Sequence, residues 1–452
     1  MIKRILDLHI HSRYSRACSS ELELPKIAET CERKGIDIVA TGDFTHPAWL
    51  KHIKENLVEV GNSGLYQLSS RARSPLATDE RSLSNLVVPG RDSSHAFGMT
   101  KTSPIRFILS TEISCIYKHK DATRRVHLLI LAPNIEAVQK FNKVLEDRGV
   151  NIKSDGRPIM GLSAKEVLKI ILDIDPRFMM IPAHAWTPWF SVFGSKSGYD
   201  SLEECFEELT SEIRAIETGL SSDPVMNRRL SALDKITLVS NSDAHSLENL
   251  GREANRFEFA DEKEITFDEI ARIIKEGDRK NFLYTIEFYP EEGKYHFDGH
   301  AACEVCFSPE ETKVKKFLCP KCKKHLTVGV LHRVDDLADR EEKILDEKFI
   351  RHRYIVPLRE IIGKVFKVGV ASKKVKNEYD SMIKKIGNEF YILLDAPERE
   401  IEKNVSDKNI LLAIQNMRSG NVKVAPGYDG IFGSVEVIPK SIKLMKKQGR
   451  LL

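Results

Sequence analysis

Ile5-Leu6-Asp7-Leu8-His9-Ile10-His11 opens the chain with an apolar run that ends in two imidazoles one residue apart. Side chains alternate between the faces of a strand, so His9 and His11 share a face and can reach one metal ion. The same pattern, a short apolar and β-branched run that delivers a metal-capable side chain, returns six more times. Residues 36–42 deliver Asp43, with His46 three positions on, and residues 105–111 deliver Glu112. Arg125-Val126 leads to His127 at the head of an apolar run, so this imidazole must enter from the start of its strand or a bend there. Residues 178–183 deliver His184, 213–216 deliver Glu217, and 236–242 deliver Asp243 and, two positions later, His245.

Strand, ligand, then helix or loop is the grammar of an α/β fold of the βα-barrel kind. There the C-terminal strand ends converge on one mouth and distant residues become neighbours. A set of His9, His11, Asp43, Glu112, His127, His184, Asp243 and His245 is too large for one ion at four to six coordination. Two or three divalent ions are expected. Mixed imidazole and carboxylate donors suit zinc, manganese or iron, with magnesium a further alternative. Residues 162–172, 202–209 and 224–233 read as barrel helices, with Ser163 and Asp223 as N-caps. A polar stretch from 61 to 103 is too long for an ordinary connection. It is either a functional loop, given its clusters Arg71/Arg73 and Arg91, or a mobile insertion.

Downstream, Cys303-x2-Cys306 and Cys319-x2-Cys322 form a four-cysteine zinc signature, a ribbon-like module expected to hold one structural zinc. Paired Cys-x-x-Cys motifs point to a reducing compartment, and Cys18, Cys31, Cys115 and Cys205 read as buried small hydrophobes. Lys315, Lys316, Lys323 and Lys324 crowd the module, either as phosphate contacts or as a solvated face. From Glu287 onward there are 31 Lys and Arg against 25 Asp and Glu, and before it 39 against 41, a basic back half suited to a polyanion. Three segments are expected: a catalytic barrel over 1–285, the zinc module over 286–333, and a basic C-terminal domain of helices and a few strands over 334–452. Glu389-Phe390-Tyr391-Ile392-Leu393-Leu394 reads as one of those strands, and Pro426-Gly427-Tyr428-Asp429-Gly430 as a turn that lays its ring on a base or on the neighbouring domain.

With 41% hydrophobic and 30% charged residues, the chain is neither disordered nor membrane-spanning in composition. The first residues lack a signal-peptide pattern, and a cytoplasmic protein is expected.

His9-Ile10-His11, Asp43, Glu112, His127, His184 and Asp243-Ala244-His245 resemble the ordered motifs of the PHP (polymerase and histidinol phosphatase) family over about residues 1–285. That resemblance implies a distorted seven-stranded barrel with a trinuclear metal site. Residues 41–47 and 182–189, the cysteine module and residues 426–430 together resemble the endonuclease Q family nearly end to end. This second resemblance implies a DNA repair endonuclease that nicks 5′ to hypoxanthine, uracil, xanthine and abasic sites. Two departures from the wider PHP pattern stand out. Arg13-Tyr14-Ser15-Arg16 follows the first His pair, and Gly42-Asp43-Phe44 replaces the common Thr-Asp-His. Arg13 and Arg16 are then candidates to hold the scissile phosphate. Trp186, Trp189, Phe190 and Tyr428 are candidates to stack on a turned-out base. A PHP-type phosphatase acting on a small monoester is the enzymatic alternative, and a non-catalytic nucleic-acid scaffold the other. A sliding clamp is a further conceivable partner, although residues 446–452 lack the paired aromatics of a clamp-binding peptide.

Overall fold

The computed structural model describes residues 1–73, 104–341 and 347–437. Its strands in chain order are β1 (Ile2–Asp7), β2 (Ile38–Ala40), β3 (Leu57–Glu59), β4 (Leu65–Leu68), β5 (Arg106–His119), β6 (Ala122–Ala132), β7 (Ile159–Met160), β8 (Met179–Pro182) and β9 (Ala215–Glu217). There follow β10 (Thr237–Val239), β11 (Ala254–Phe259), β12 (Phe282–Glu287), β13 (Asp298–His300), β14 (Val305–Phe307), β15 (Arg351–Tyr354), β16 (Lys423–Ala425) and β17 (Ser434–Glu436).

A mixed sheet of eleven strands organises the molecule. Its centre is parallel, β1 beside β2 beside the first half of β5. The fourteen-residue β5 then continues past the edge of β2 and pairs antiparallel with β6, which pairs antiparallel with β8. Leu109, Ile113 and Cys115 on β5 and Leu128 to Leu131 on β6 are buried. Such continuous burial is what strands covered on both faces require. The β9–β10 pair is parallel but joins its neighbours by isolated contacts and not by a ladder. Ala185 N donates to Glu217 O at 3.0 Å, His11 N to Ala244 O at 3.0 Å, and Leu8 N to the side chain of Asn241 at 2.9 Å. Asn255 completes this seam, accepting from Ser240 N and donating to Asn241 Oδ1. Buried amide side chains thus satisfy backbone groups that a ladder would otherwise pair.

Several expectations meet the structure here. Ala164–Ile174 is a helix with Ser163 and Glu166 in a reciprocal capping box, and Asp223 caps the short helix Pro224–Asn227. The third expected helix is Leu202–Phe206 followed by a 3-10 turn. Strand β4 and a helical turn at Ser70–Arg73 occupy the start of the polar stretch from 61, and residues 74–103, with Arg91, lie outside the described residues. Residues 446–452 lie outside them as well.

The expected strand at 389–394 is helical. Asn388 accepts from Tyr391 N through its side chain and from Ile392 N through its carbonyl, and a π turn follows over Tyr391–Asp395. Phe390, Ile392 and Leu393 are all buried, so a strong apolar run carried no information about period. Helices at Leu358–Phe366, Lys373–Lys385, Glu398–Asn404 and Asn409–Ser419 surround it. Strand β15 pairs parallel with β12 and extends the first sheet.

Candidate metal centre and nucleic-acid face

Three of the strand-end side chains sit on backbone that L residues rarely adopt: Asp43 has φ +48°, His184 +31° and Asp243 +46°. Each lies two to four residues beyond the end of a strand, β2, β8 or β10, and the left-handed turn there swings its side chain inward across the mouth. Non-glycine residues persist in this region only where the surroundings over-determine them, and they concentrate at functional sites. Gly42, before Asp43, is also left-handed, and a Cβ there would stand 2.5 Å from Ile10 O, so the chain passes the His9-Ile10-His11 segment closely only because this residue is glycine.

At the mouth the donors form two groups that share one carboxylate. His9, His11, Glu112 and Asp243 make the first, and Glu112, His127 and His184 the second. Oε2 of Glu112 lies 3.2 Å from His11 Nε2 and 3.7 Å from His9 Nε2. Its Oε1 lies 2.8 Å from His127 Nδ1 and 3.0 Å from His184 Nε2. Asp243 Oδ1 is 3.1 Å from His11 Nε2 and 3.8 Å from His9 Nε2. His9 Nε2, His11 Nε2 and Asp243 Oδ1 are buried without a hydrogen-bond partner. Buried polar atoms are almost always paired, so three orphans converging on one carboxylate fit a cation. Imidazole nitrogen and carboxylate oxygen are donors that zinc, manganese and iron accept.

Electrostatics sharpen the picture. Burial disfavours charge on His9, yet Glu217 and Glu112 beside it raise its proton affinity well above the usual imidazole range. Burial likewise opposes ionisation of Asp243, but His11 and His9 hold it below ordinary carboxylates. Burial pushes His127 down to about 4, against the pull of Glu112. Within the second group His127 is therefore neutral, whereas Glu112 raises the proton affinity of His184 against burial, a proton that metal binding would displace.

Two expected ligands stand behind the donor groups instead. Asp43 is fully buried and its oxygens are taken: Oδ1 by His11 Nδ1 at 3.0 Å, Oδ2 by Ser12 N and Oγ at 2.6 Å and Ser15 Oγ at 2.9 Å. It orients His11. His245 packs its ring 4.5 Å from that of His11 and turns Nδ1 to Asp243 O at 2.9 Å, outside both groups. Glu217 does for His9 what Asp43 does for His11, meeting Nδ1 at 3.0 Å while accepting from His184 N and Asn241. A carboxylate behind a ligating imidazole fixes its tautomer and raises its basicity. His46 stacks on Tyr14 at 4.4 Å and joins neither group. His127 lies in the middle of β6, because that strand runs antiparallel and does not point its end at the mouth.

The cysteine module brings together His300, Cys303, Cys319 and Cys322. Cys306, expected as the fourth thiolate, falls outside this group, and His300 at the end of β13 takes its place, 3.7 Å from Cys322. Spacing alone had pointed to the Cys-x-x-Cys pair, whereas the β13–β14 hairpin pairs Cys306 with Gly299 and sets His300 opposite Val305. Lys315, Lys316, Lys321, Lys323 and Lys324 are exposed around it, with Phe317.

Among the aromatic candidates, Trp186 is buried and donates to Asn227 at 2.7 Å, so it belongs to the core and cannot meet a base. Phe190 packs 4.7 Å from His127, and Trp189, 38% exposed, meets Tyr295 edge-on at 5.5 Å. Tyr428 lies on the cysteine module, where Asp429 accepts from Ala301 N and Thr327 at 2.6 Å each. Arg13 pairs with Glu23, and Arg16 with Asp155 at 3.2 Å. A residue absent from the expectations is Arg157, which donates to Glu112 at 2.9 Å. No local motif surrounds it, and only the mouth's geometry reveals it.

Residues 357–421 match the family described as the MJ0043 C-terminal domain. An uncharacterized protein of Methanocaldococcus jannaschii, MJ0043, is 31% identical over 270 residues, which span 59% of this chain but 33% of that protein. The chain thus matches about a third of that relative's length. The crystal structure of the lesion-specific endonuclease PfuEndoQ from Pyrococcus furiosus superposes with a TM-score of 0.80 at 30% identity, covering 98% of this chain and all of that one. An endonuclease Q complex with a 27-mer duplex carrying an abasic lesion at the active site gives 0.78 at 30% identity, covering 99% and 100%. With both lengths covered at that identity, the chain belongs to the endonuclease Q family of DNA-cleaving hydrolases.

Proposed function

We propose that this chain is a metal-dependent DNA repair endonuclease that hydrolyses the phosphodiester 5′ to a damaged base. The observation that carries the reading is Glu112, a single buried carboxylate whose two oxygens face two separate donor groups. A shared carboxylate of this kind would suit two ions, one for each donor group. Bound ions would lower the pKa of a water, polarise the phosphoryl oxygens and stabilise the departing oxygen. The protein's part is to hold the imidazoles: Glu217 sets the ring of His9 and Asp43 that of His11, so their Nε2 atoms point inward. Ser191 holds Nδ1 of His184 at 3.2 Å and leaves Nε2 for Glu112. The strand arrangement supports a distorted seven-stranded barrel made of β1, β2, β5, β6, β8, β9 and β10, within a segment ending near 285.

The cysteine module is read as a structural zinc site over 286–333, and residues 334–452 as a basic domain that helps to hold the duplex. Exposed lysines around the module supply sequence-independent affinity for phosphate. Damaged bases, hypoxanthine, uracil, xanthine or an abasic sugar, would be turned out of the helix toward Phe190 and Trp189, since a stacked base hides the edge that distinguishes it. No helix among the described residues is long and apolar enough to cross a membrane, and a cytoplasmic enzyme is in keeping with eight unpaired cysteines. The test is nicking of labelled duplexes that carry one hypoxanthine, uracil or abasic site, with and without divalent metal. Cleavage 5′ to the lesion that spares adenine and cytosine is expected. Equal cutting of undamaged DNA reduces the reading to a general nuclease, and rapid hydrolysis of a small monoester without nicking replaces it with a phosphatase.

A further inference from the structure

Arg157 reaches the bridging carboxylate from a loop that is itself part of the mouth. Its Nη1 donates to Glu112 Oε2 at 2.9 Å, the oxygen that also faces His11 Nε2. Asp155, buried beside it, accepts from Arg157 N at 3.1 Å and from Arg16 N at 3.3 Å, tying this loop to the one that follows the first His pair. Gly156 N donates to Tyr14 O at 2.9 Å, and its carbonyl accepts from Thr45. A Cβ on Gly156 would stand 2.4 Å from both Asp43 Oδ2 and Ser15 Oγ, so only glycine lets the loop pass this close. Pro158 O then accepts from Ser114 N at 3.0 Å, and β7 joins β5. The guanidinium is delivered by a braced backbone and not by a free surface loop, while 24% of its side chain keeps solvent access.

Geometry decides what such a group is for. Of the guanidinium, Nη1 is taken up by Glu112, and among the described residues Nε and Nη2 have no protein acceptor. A partly solvent-accessible fork of donors is thus left beside both donor groups, where a phosphoryl oxygen would lie. We propose that Arg157 is a catalytic residue that binds a non-bridging oxygen of the scissile phosphate. The reading rests on the phosphodiester hydrolysis proposed above. Arg157 donates hydrogen bonds throughout and transfers no proton. Its flat fork of donors fits a phosphoryl edge, and preorganised donors of this kind stabilise the charge that builds up as the bond breaks. Asp155 positions it without touching the substrate.

The experiment compares wild type, Arg157→Gln and Arg157→Lys in three measurements: kcat on lesion-bearing duplex, metal bound per chain, and affinity of the metal-loaded protein for inorganic phosphate. Arg157→Gln is expected to lower kcat by about 10²–10³-fold and to weaken phosphate by about tenfold, with metal content and melting temperature kept. Arg157→Lys should recover only part of either loss, because an ammonium cannot offer the fork. Loss of bound metal together with cleavage would show that Arg157 merely holds Glu112 and overturns the proposal, as would unchanged phosphate affinity in both variants. If the wild type nicks no damaged DNA, the endonuclease reading falls, while the phosphate titration still decides Arg157.

Discussion

The strand-end mouth and the cysteine module both gather metal-capable side chains, yet they are built in opposite ways. At the mouth the donors come from His9 to Asp243 in the chain, on five separate strands or strand ends, with His9 and His11 sharing one, and are walled by the main core. Buried carboxylates, Asp43 and Glu217, brace the imidazoles from behind. The module draws its donors from residues 300–322 and closes over a small core of Val305, Cys319 and Leu326, with Cys322 exposed. A large core can hold an arrangement of donors whether or not an ion is bound. A three-residue core cannot, and there ion binding and folding become one process.

Breaking the mouth should therefore cost chemistry without costing the fold. Asp243→Asn removes one donor of the first group, and kcat for nicking should fall about 10³-fold or more, on the order of 4 kcal/mol. The melting temperature and gel-shift affinity for DNA are expected to stay near wild type. Glu217→Gln, which leaves every donor in place and loosens His9 together with the backbone of His184, should show a smaller loss of about 10–100-fold. Should either variant unfold the chain, the distinction between the two regions disappears.

Breaking the module should do the reverse. Cys319→Ser is expected to destabilise residues 296–332 by about 4 kcal/mol or more, seen as lost protection in hydrogen exchange there, and to weaken DNA binding more than it slows the chemical step. The comparison sharpens at the fourth donor. His300→Ala should behave like Cys319→Ser, whereas Cys306→Ser should cost about 1 kcal/mol or less. The opposite ranking restores the four-thiolate site that the spacing suggested.

The smallest expected effect concerns the floor beneath the mouth. Burial raises the carboxyl of Glu287 to about 8, against hydrogen bonds from Thr218 and Ser240, and the buried carboxyl of Glu253 is also raised. A carboxyl whose folded pKa exceeds its unfolded value favours the fold fully below the ordinary carboxylate pKa. That contribution is lost as pH rises toward and through about 8. Glu287→Gln cannot ionise, so between pH 5 and 9 its denaturation midpoint should fall less steeply than wild type. By pH 9 it should be the more stable form by on the order of 1 kcal/mol. Parallel midpoints across that range would mean that Glu287 titrates as it does in water.

How much of this was legible beforehand differs from residue to residue. Seven apolar runs, each delivering His, Asp or Glu, were enough to collect the mouth's donors, because a strand's two-residue period and the convergence of strand ends are local and topological facts. Ser163 and Asp223 announced helix starts for the same reason, as a cap acts within three residues. Residues 389–394 misled, since the five apolar and aromatic residues after Glu389 bury equally well in a strand or a helix, and Asn388 decided between them. Which carboxylate would ligate and which would brace was never in the sequence. Asp43 and Asp243 are the same residue in similar strand-end settings, but Ser12, Ser15 and His11 fill the oxygens of one, while Asp243 Oδ1 stays buried and unpaired. Arg157 and His300 entered the sites only through the third dimension. A ligand is defined by the lone pairs its neighbours leave free, and neighbours across the mouth are set by packing, not by chain order.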